Sequence, residues 1–256
     1  MLERWRTPEC LSSYEVLVEE TVSLRRESRL LDLACGDGYL LGLLSRRGFS
    51  DLVGVDWSPE ELAGARERLG PGAELHCQDA CALTLPDGSV DMAMSHLALM
   101  LMAPVEPVLA EIARVVKPGG CLVAVVNRYV QDPVNEVYRR WLHRTTAELG
   151  LDRLRLGDPR AFAVEGLREL LRGQHFDSES LLIRDFEVRA NATPSALWSS
   201  LRLSYDVFQL PESAQAALER GILRDWEPLR DEDGLLTCAM GMRFVKCRTP
   251  PSCRQP

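Results

Sequence analysis

Short apolar segments alternate with amphipathic ones along the first half of the chain. Apolar runs that end at glycine or acidic residues predict strands, at 29–34, 52–56, 73–77, 90–95 and 121–127. Between these runs, apolar residues recur at helical spacing, over 39–47, 58–69 and 105–116. Ser58 and Pro59 mark the start of the second of these helices as N-cap and first helical residue. Strands that alternate with helices predict a parallel sheet with helices on both faces.

The pattern is less regular outside this central region. Helical spacing appears over 12–25, 134–149, 164–173, 194–208 and 212–229. Two further apolar runs, 180–188 and 235–246, predict strands. The C-terminal half is therefore expected to add two strands, with helices before and between them.

Composition narrows the possible functions. The chain has 256 residues, of which 46% are hydrophobic and 27% charged, enough apolar material for a full core. Its net charge of −8 disfavours binding to nucleic-acid phosphates, which requires clustered Lys and Arg. The chain contains neither an apolar run long enough to span a membrane nor a signal-peptide pattern. We expect a cytoplasmic protein without a nucleic-acid partner.

The eight cysteines do not form a recognisable metal or redox motif. No two of them make a C-x-x-C pair, and no Cys/His group has zinc-site spacing. We expect reduced, mostly buried thiols and no bound metal.

Chemistry-bearing residues fall at the predicted strand ends, where open parallel sheets bind their ligands. Gly36 and Gly38 follow the first strand, and without side chains their backbone N–H groups can approach a ligand closely. Asp56 ends the second strand, and its carboxylate can accept both hydrogen bonds of a ribose diol. Asp79 follows the third strand and can accept from an exocyclic amine. Together these residues predict a nucleoside site.

The residues around the glycine loop favour one nucleoside cofactor over another. A dinucleotide site needs glycine at the third position of G-x-G-x-x-G, but here that position is Leu41, and Asp32 before the loop repels a pyrophosphate. A ligand with an ammonium group and a positive sulfur tolerates Asp32, which indicates S-adenosylmethionine. A nicotinamide-dependent oxidoreductase is the alternative from another enzyme class.

The chain resembles the class I S-adenosylmethionine-dependent methyltransferases of the type 11 family. The matching motifs are LLDLACGDG at 30–38, VGVDWS at 53–58, CQDA at 77–80, LPDGSVD at 85–91 and EIARVVKPGG at 111–120. The resemblance covers about 25–127 in detail and the rest in outline. It implies an α/β, Rossmann-like sheet of seven strands in the order 3-2-1-4-5-7-6. The last strand is antiparallel, helices cover both faces, and a helical lid is added. Ala34 departs from the family, which often has glycine there.

The resemblance also implies roles for individual residues. The cofactor would be bound by Asp32, Ala34, Cys35, Gly36, Gly38, Asp56, Trp57, Asp79, Ala80 and Ser95. Within this set, Asp32 would orient the methionine end and Asp56 would hold the ribose. Asp79 would bind adenine N6, and Trp57 would flank the ring. The product would be S-adenosylhomocysteine.

The acceptor side is less well defined. His96, after the fourth strand, is either a base that takes a proton from the acceptor or a residue that shapes the pocket. Aromatic residues of the expected lid are candidates for acceptor contacts or, alternatively, for core positions: Tyr129, Tyr138, Trp141, Trp198 and Tyr205.

These observations predict a single methyltransferase domain over 1–247 and a flexible tail over 248–256. The cofactor half would occupy 25–127, and the lid and C-terminal half 128–247. The expected reaction is O- or N-methylation of a small molecule such as a specialised metabolite. The alternatives are C-methylation of a quinone-like ring and a non-catalytic module that binds S-adenosylmethionine. The acceptor and the oligomeric state stay open.

Overall fold

A computed structural model describes residues 5–151 and 157–251 of the chain. The strands in these ranges are β1 (Leu30–Leu33), β2 (Leu52–Asp56), β3 (Glu74–Cys77), β4 (Val90–His96), β5 (Val116–Arg128), β6 (Asp177–Ala192) and β7 (Leu236–Arg248). The helices are α1 (Ser13–Glu19), α2 (Tyr39–Arg46), α3 (Pro59–Leu69), α4 (Val105–Val115), α5 (Pro133–Glu148), α6 (Val164–Gly173), α7 (Pro194–Leu201), α8 (Tyr205–Phe208) and α9 (Glu212–Trp226). Among the described residues, no helix is both long and apolar enough to cross a membrane.

The strands form one mixed sheet in the order β3-β2-β1-β4-β5-β7-β6. The four pairs among β1 to β5 are parallel. At the end of β7 the N–H of Thr249 donates to the carbonyl of Gly120 (3.0 Å), and the N–H of Gly119 donates to that of Pro250 (3.2 Å). The residue numbers run in opposite directions, so β7 is antiparallel to β5. The predicted strand order is confirmed.

The core explains why the predicted elements form. Every residue of β1 and β2 is buried, as expected for central strands of a sheet covered on both faces. Helix α4 buries Val105, Val108, Leu109, Ile112 and Val115, the spacing of one helix face. These side chains join those of the central strands in one apolar cluster.

Some element boundaries differ from the prediction. Helix α1 ends at Glu19, not at residue 25, because the chain continues in tight turns in which Glu20 bonds back to Leu17 and Thr21 to Val18. The hydroxyl of Thr21 also bonds to the carbonyl of Val18 (2.7 Å), which competes with helix continuation. Predicted helix 194–208 is interrupted and forms α7 and α8.

The segment 117–120, which joins the predicted helix 105–116 to the predicted strand 121–127, lies within β5. Val90 of β4 pairs with Val116, whereas Met92 pairs with Cys121. One residue of β4, Asp91, therefore lies opposite four residues of β5, 117–120, and the proline and the two glycines are accommodated in this irregularity.

The chain divides into two compact units. The motif unit consists of Ser13–Arg128, Leu156–Phe186 and Met242–Pro256. The helical unit consists of Met1–Ser12, Tyr129–Arg155 and Glu187–Gly241. The predicted cofactor half, 25–127, falls wholly within the motif unit, and the predicted second half, 128–247, is shared between both. That the two units act as one domain stays a prediction.

The predicted tail, 248–256, begins too early. Arg248 is the last residue of β7, and Thr249 and Pro250 hydrogen-bond to β5. The strand continues because these backbone groups find partners on β5. Residues 252–256 lie outside the described residues.

Candidate functional site

The glycine loop between β1 and α2 has a left-handed backbone. Its φ angles are 60° at Ala34, 52° at Gly36 and 74° at Gly38. Glycine adopts this conformation without strain, whereas alanine does not. At Gly38 a Cβ atom would also lie 2.9 Å from Leu69 and 3.1 Å from Ala65 of α3. The second glycine of the motif therefore allows α3 to pack against the loop.

Asp56 fixes the loop from the end of β2. Its Oδ2 accepts the N–H of Gly36 (2.8 Å), and its Oδ1 accepts the N–H of Ser58 (2.9 Å). Asp56 is buried, and each carboxylate oxygen keeps a further lone pair. The side chain is thus held in place with acceptor capacity left for a ligand.

Several carboxyl groups lie close enough around the glycine loop to affect one another's pKa values. Asp32 is 2% exposed, and its pKa is raised well above the usual value by burial and then by the charges of Asp56 and Asp37. Burial and the same two neighbours also raise the pKa of Glu61 on α3. Both raised pKa values favour the neutral carboxyl forms, and a cation bound nearby would lower these pKa values again.

Asp37 is partly neutralised by the protein itself. Its carboxylate pairs with the guanidinium of Arg68, which also donates to the carbonyl of Asp37 (3.0 Å). Asp37 in turn accepts the N–H of Tyr39 (3.2 Å) at the start of α2. This residue therefore ties the loop to α2 and α3.

The residues that are predicted to contact adenine are largely exposed. The side chain of Trp57 is 83% exposed, and Asp79 is also exposed. Oδ1 of Asp79 accepts the N–H of Cys81 (2.8 Å), so this residue caps a turn. The half-buried Ala80 lies within that turn. Contacts of these residues with adenine stay a prediction.

Ser95 and His96 end β4, the strand beside β1. Ser95 is fully buried, and its Oγ has no hydrogen-bond partner among the described residues. A buried polar atom without a partner is costly, and the predicted contact of Ser95 with the cofactor stays a prediction. The next residue, Leu97, has a left-handed backbone with φ 52°.

His96 is held by the first turn of α1. Its Nε2 lies 2.9 Å from Oγ of Ser13. The ring of Tyr14 stacks on the imidazole, with centroids 3.6 Å apart and planes at 21°, and Tyr14 meets Tyr39 edge-on at 4.8 Å. Burial lowers the pKa of His96 to about 3, so the imidazole is neutral near pH 7.

Cys35, within the predicted cofactor set, is not a reactive thiol. It is buried and free. Burial and then the charge of Asp32 raise its thiol pKa, and a thiolate is needed for reactivity.

The predicted acceptor-binding aromatics lie in the helical unit, where the described ones have partners or core positions. Tyr129 is exposed and donates to Glu136 (2.7 Å), and the hydroxyl of Tyr138 pairs with that of Ser204 (2.8 Å). Trp141 donates to Asp225 (2.8 Å). Trp198 is buried, and its Nε1 has no partner among the described residues. The side chain of Tyr205 lies outside the described residues. Acceptor contacts of this set stay a prediction.

Sequence reasoning did not place Ser13, Tyr14, Tyr39 or Glu61 in the candidate site. The first two lie in α1, far from the motifs along the chain, and only the folded sheet brings them to His96. Tyr39 and Glu61 follow the loop and the Ser58 cap within one turn, so helix geometry could have placed them near the motif residues.

Comparison with known proteins supports the fold and the motifs. Residues 31–124 match the family model described as a methyltransferase domain. Trans-aconitate 2-methyltransferase of Methylobacterium nodulans is 32% identical over 120 residues, 46% of this chain and 46% of that protein. Malonyl-[acyl-carrier protein] O-methyltransferase of a Marinomonas species is 26% identical over 234 residues, 90% of this chain and 83% of that protein.

A solved structure shows the same fold. Geranyl diphosphate C-methyltransferase from Streptomyces coelicolor was solved with S-adenosyl-L-homocysteine. It superposes with a TM-score of 0.56 at 14% identity, covering 92% of this chain and 76% of that one. The chain spans 36%, 46% and 54% of three of the curated relatives that it matches. The matched family model over residues 31–124, the order of the motifs and the strand order together show that the chain is similar to the class I S-adenosylmethionine-dependent methyltransferases.

Proposed function

We propose that the protein transfers a methyl group from S-adenosylmethionine to an oxygen or nitrogen atom of a small molecule. The observation that carries this proposal is the set of groups at the carboxyl ends of three adjacent strands. Asp32 on β1, Asp56 on β2 and the Ser95-His96 pair on β4 lie at or near the carboxyl ends of neighbouring strands, the edge at which open sheets bind ligands.

The residues present fit the cofactor. Three features offer polar contacts to the cofactor. They are the Oγ of Ser95, which has no hydrogen-bond partner among the described residues, the backbone of the glycine loop, and the carboxylate of Asp56, which the N–H of Gly36 holds in place. Bound S-adenosylmethionine supplies an electrophilic methyl group on a positive sulfur. The carboxyl cluster around Asp32 and Glu61 balances that charge and the ammonium group. The protein contributes mainly by holding the two reactants aligned and away from water.

An oxygen acceptor is supported by one relative in particular. The protein that matches 90% of this chain is named as an O-methyltransferase. C-methylation of a quinone-like ring is the first alternative. The second is a module that binds the cofactor without catalysis, which intact cofactor residues also permit.

Titration calorimetry with S-adenosylmethionine, S-adenosylhomocysteine and NADH tests the cofactor. We expect micromolar binding of the two sulfur nucleosides and none of NADH. Binding of NADH alone, or of no ligand, would overturn the assignment. Incubation with isotope-labelled S-adenosylmethionine and an acceptor library then separates an enzyme from a binding module. Labelled product on oxygen or nitrogen supports the proposal, and labelled product on carbon favours the first alternative.

A further inference from the structure

The first turn of α1 holds His96 from two directions, within the motif unit. Ser13 meets one ring edge through its hydroxyl, 2.9 Å from Nε2. Tyr14 covers one ring face, with the two ring centroids 3.6 Å apart. These two contacts fix the orientation of the imidazole ring. The direction of its other nitrogen, Nδ1, is therefore fixed as well.

The position of the imidazole hydrogen follows from the burial of Ser13. Ser13 is fully buried, and within the described ranges His96 is the one hydrogen-bond partner of its hydroxyl. In neutral histidine one ring nitrogen donates and the other accepts. If Nε2 carried the hydrogen, the buried hydroxyl hydrogen of Ser13 would have no acceptor, which is unfavourable. Ser13 therefore donates to Nε2, and the ring hydrogen lies on Nδ1.

The surroundings of His96 also oppose a positive charge. The two groups that hold it, a hydroxyl and an aromatic ring, are both uncharged. A histidine that acts as a base in a catalytic triad is backed by a carboxylate, which stabilises the imidazolium. In the described part of the chain, no carboxylate forms a hydrogen bond with the His96 ring. Burial lowers its pKa to about 3, which agrees with a ring that is neutral near pH 7.

We propose that Ser13 and Tyr14 are positioning residues that hold His96 as its Nδ1–H tautomer. In this form His96 donates a hydrogen bond to an oxygen of the acceptor instead of removing a proton from it. The inference rests on the proposed methyl transfer and differs from the base role, which is one of the two roles that the sequence left open for His96.

A hydrogen-bond donor at this position favours a methyl acceptor whose reacting atom is already deprotonated. A carboxylate meets this requirement best. One carboxylate oxygen accepts from Nδ1–H, and the other forms the new bond to the methyl carbon. The methyl–sulfur bond breaks, its electron pair stays on sulfur, and no proton moves. The reaction converts an anionic oxygen and a cationic sulfur into an uncharged ester and an uncharged thioether, and this loss of charge is favoured where water is excluded.

Nitrogen-15 NMR of histidine-labelled protein reads the tautomer directly, without turnover. The chain has four histidines, and His96→Gln identifies the signals of His96. At pH 7 we expect a protonated Nδ1 and an unprotonated Nε2 in the wild type. Ser13→Ala should move the hydrogen to Nε2, because the donor is gone, and Ser13→Thr should restore the wild-type pattern. Tyr14→Leu should broaden the His96 signals, whereas Tyr14→Phe keeps the stacked ring and sharp signals.

Two results would overturn the tautomer assignment: an Nε2–H or charged His96 in the wild type, or an unchanged spectrum in Ser13→Ala. Calorimetry with S-adenosylhomocysteine runs in parallel and should give the same affinity in Ser13→Ala and wild type. If neither the wild type nor Ser13→Ala binds S-adenosylhomocysteine, the proposed function is contradicted. The tautomer assignment does not depend on this measurement.

The acceptor class has its own test. Mono-, di- and tricarboxylic acids are compared with alcohols and amines of the same carbon skeletons, and products are identified by the mass of one added methylene. We expect methyl esters of the acids, with kcat about tenfold lower in Ser13→Ala and restored in Ser13→Thr. Methylation of the alcohols or amines alone would overturn the carboxylate class.

Discussion

At the scale of single residues, Asp56 is both an anchor of the loop and a candidate ligand group. Replacing it by alanine removes the acceptors of the Gly36 and Ser58 N–H groups and of the predicted ribose contact. We expect S-adenosylmethionine binding in Asp56→Ala to weaken by about 1.5–3 kcal/mol, the range for hydrogen bonds to a charged group. Calorimetry measures the change.

The exposed Asp87 provides the matched control, since its side chain is 80% exposed and pairs with Arg114. Asp87→Ala should bind the cofactor like the wild type. Equal affinity of Asp56→Ala and wild type would contradict the ribose assignment.

His96 makes stability depend on pH with a definite sign. Its folded pKa of about 3 lies below the value of about 6.5 for an unfolded histidine. Between these values the unfolded chain binds more protons, so the free energy of unfolding rises with pH. The contribution of His96 is present above about pH 6.5 and is lost as the pH falls toward 3.

Urea unfolding at pH 7.5 and 5.5 measures this dependence. The loss of stability at the lower pH should be smaller in His96→Gln than in the wild type, because the titrating group is gone. His143, which is exposed, supplies the control variant His143→Gln. Identical pH dependence in His96→Gln and wild type would show that His96 does not contribute in this way.

At the scale of elements, the junction of β1, the loop and α3 depends on Gly38. Its φ of 74° and the 2.9 Å approach of Leu69 leave no room for a side chain. We expect Gly38→Ala to lower the free energy of unfolding by about 1–3 kcal/mol. Gly173, the last residue of α6, is the matched control, because a Cβ atom added there would meet nothing within 4 Å and its φ is not left-handed.

Gly173→Ala should therefore leave stability unchanged or slightly raised, since alanine favours helix. Denaturant titration compares the two variants. A Gly38→Ala protein as stable as Gly173→Ala would mean that α3 can shift to admit a methyl group.

The sequence predicts the bounds of an element correctly where local signals in the chain determine them, as in β2 and α3. Strand β2 has the predicted bounds because its whole length is apolar up to Asp56. Helix α3 starts where its local signals predict, and Oγ of Ser58 accepts the N–H of Glu61 (3.1 Å). Helix α1 is shorter than predicted because its end depends on turns near Thr21, which compete closely with helix.

At the scale of the whole molecule, ligand binding should stabilise the fold. A ligand that binds only the folded state at 100 times its Kd adds about 2.7 kcal/mol. We expect S-adenosylhomocysteine to raise the melting temperature and NADH to leave it unchanged. Thermal scans at increasing concentrations measure the effect. An equal shift with both ligands, or with neither, would count against a specific nucleoside site.

The order of strands and helices in the first half, and the cofactor motifs, follow from the amino-acid sequence alone. These depend on local periodicity and on residues that lie close together in the chain, such as Asp32, Gly36 and Gly38. The surroundings of His96 required the folded chain, because Ser13 lies 83 residues away. The same holds for the raised pKa of Asp32 and the orphaned hydroxyl of Ser95. Burial and contacts between distant residues arise from packing, and no local pattern in the chain records them.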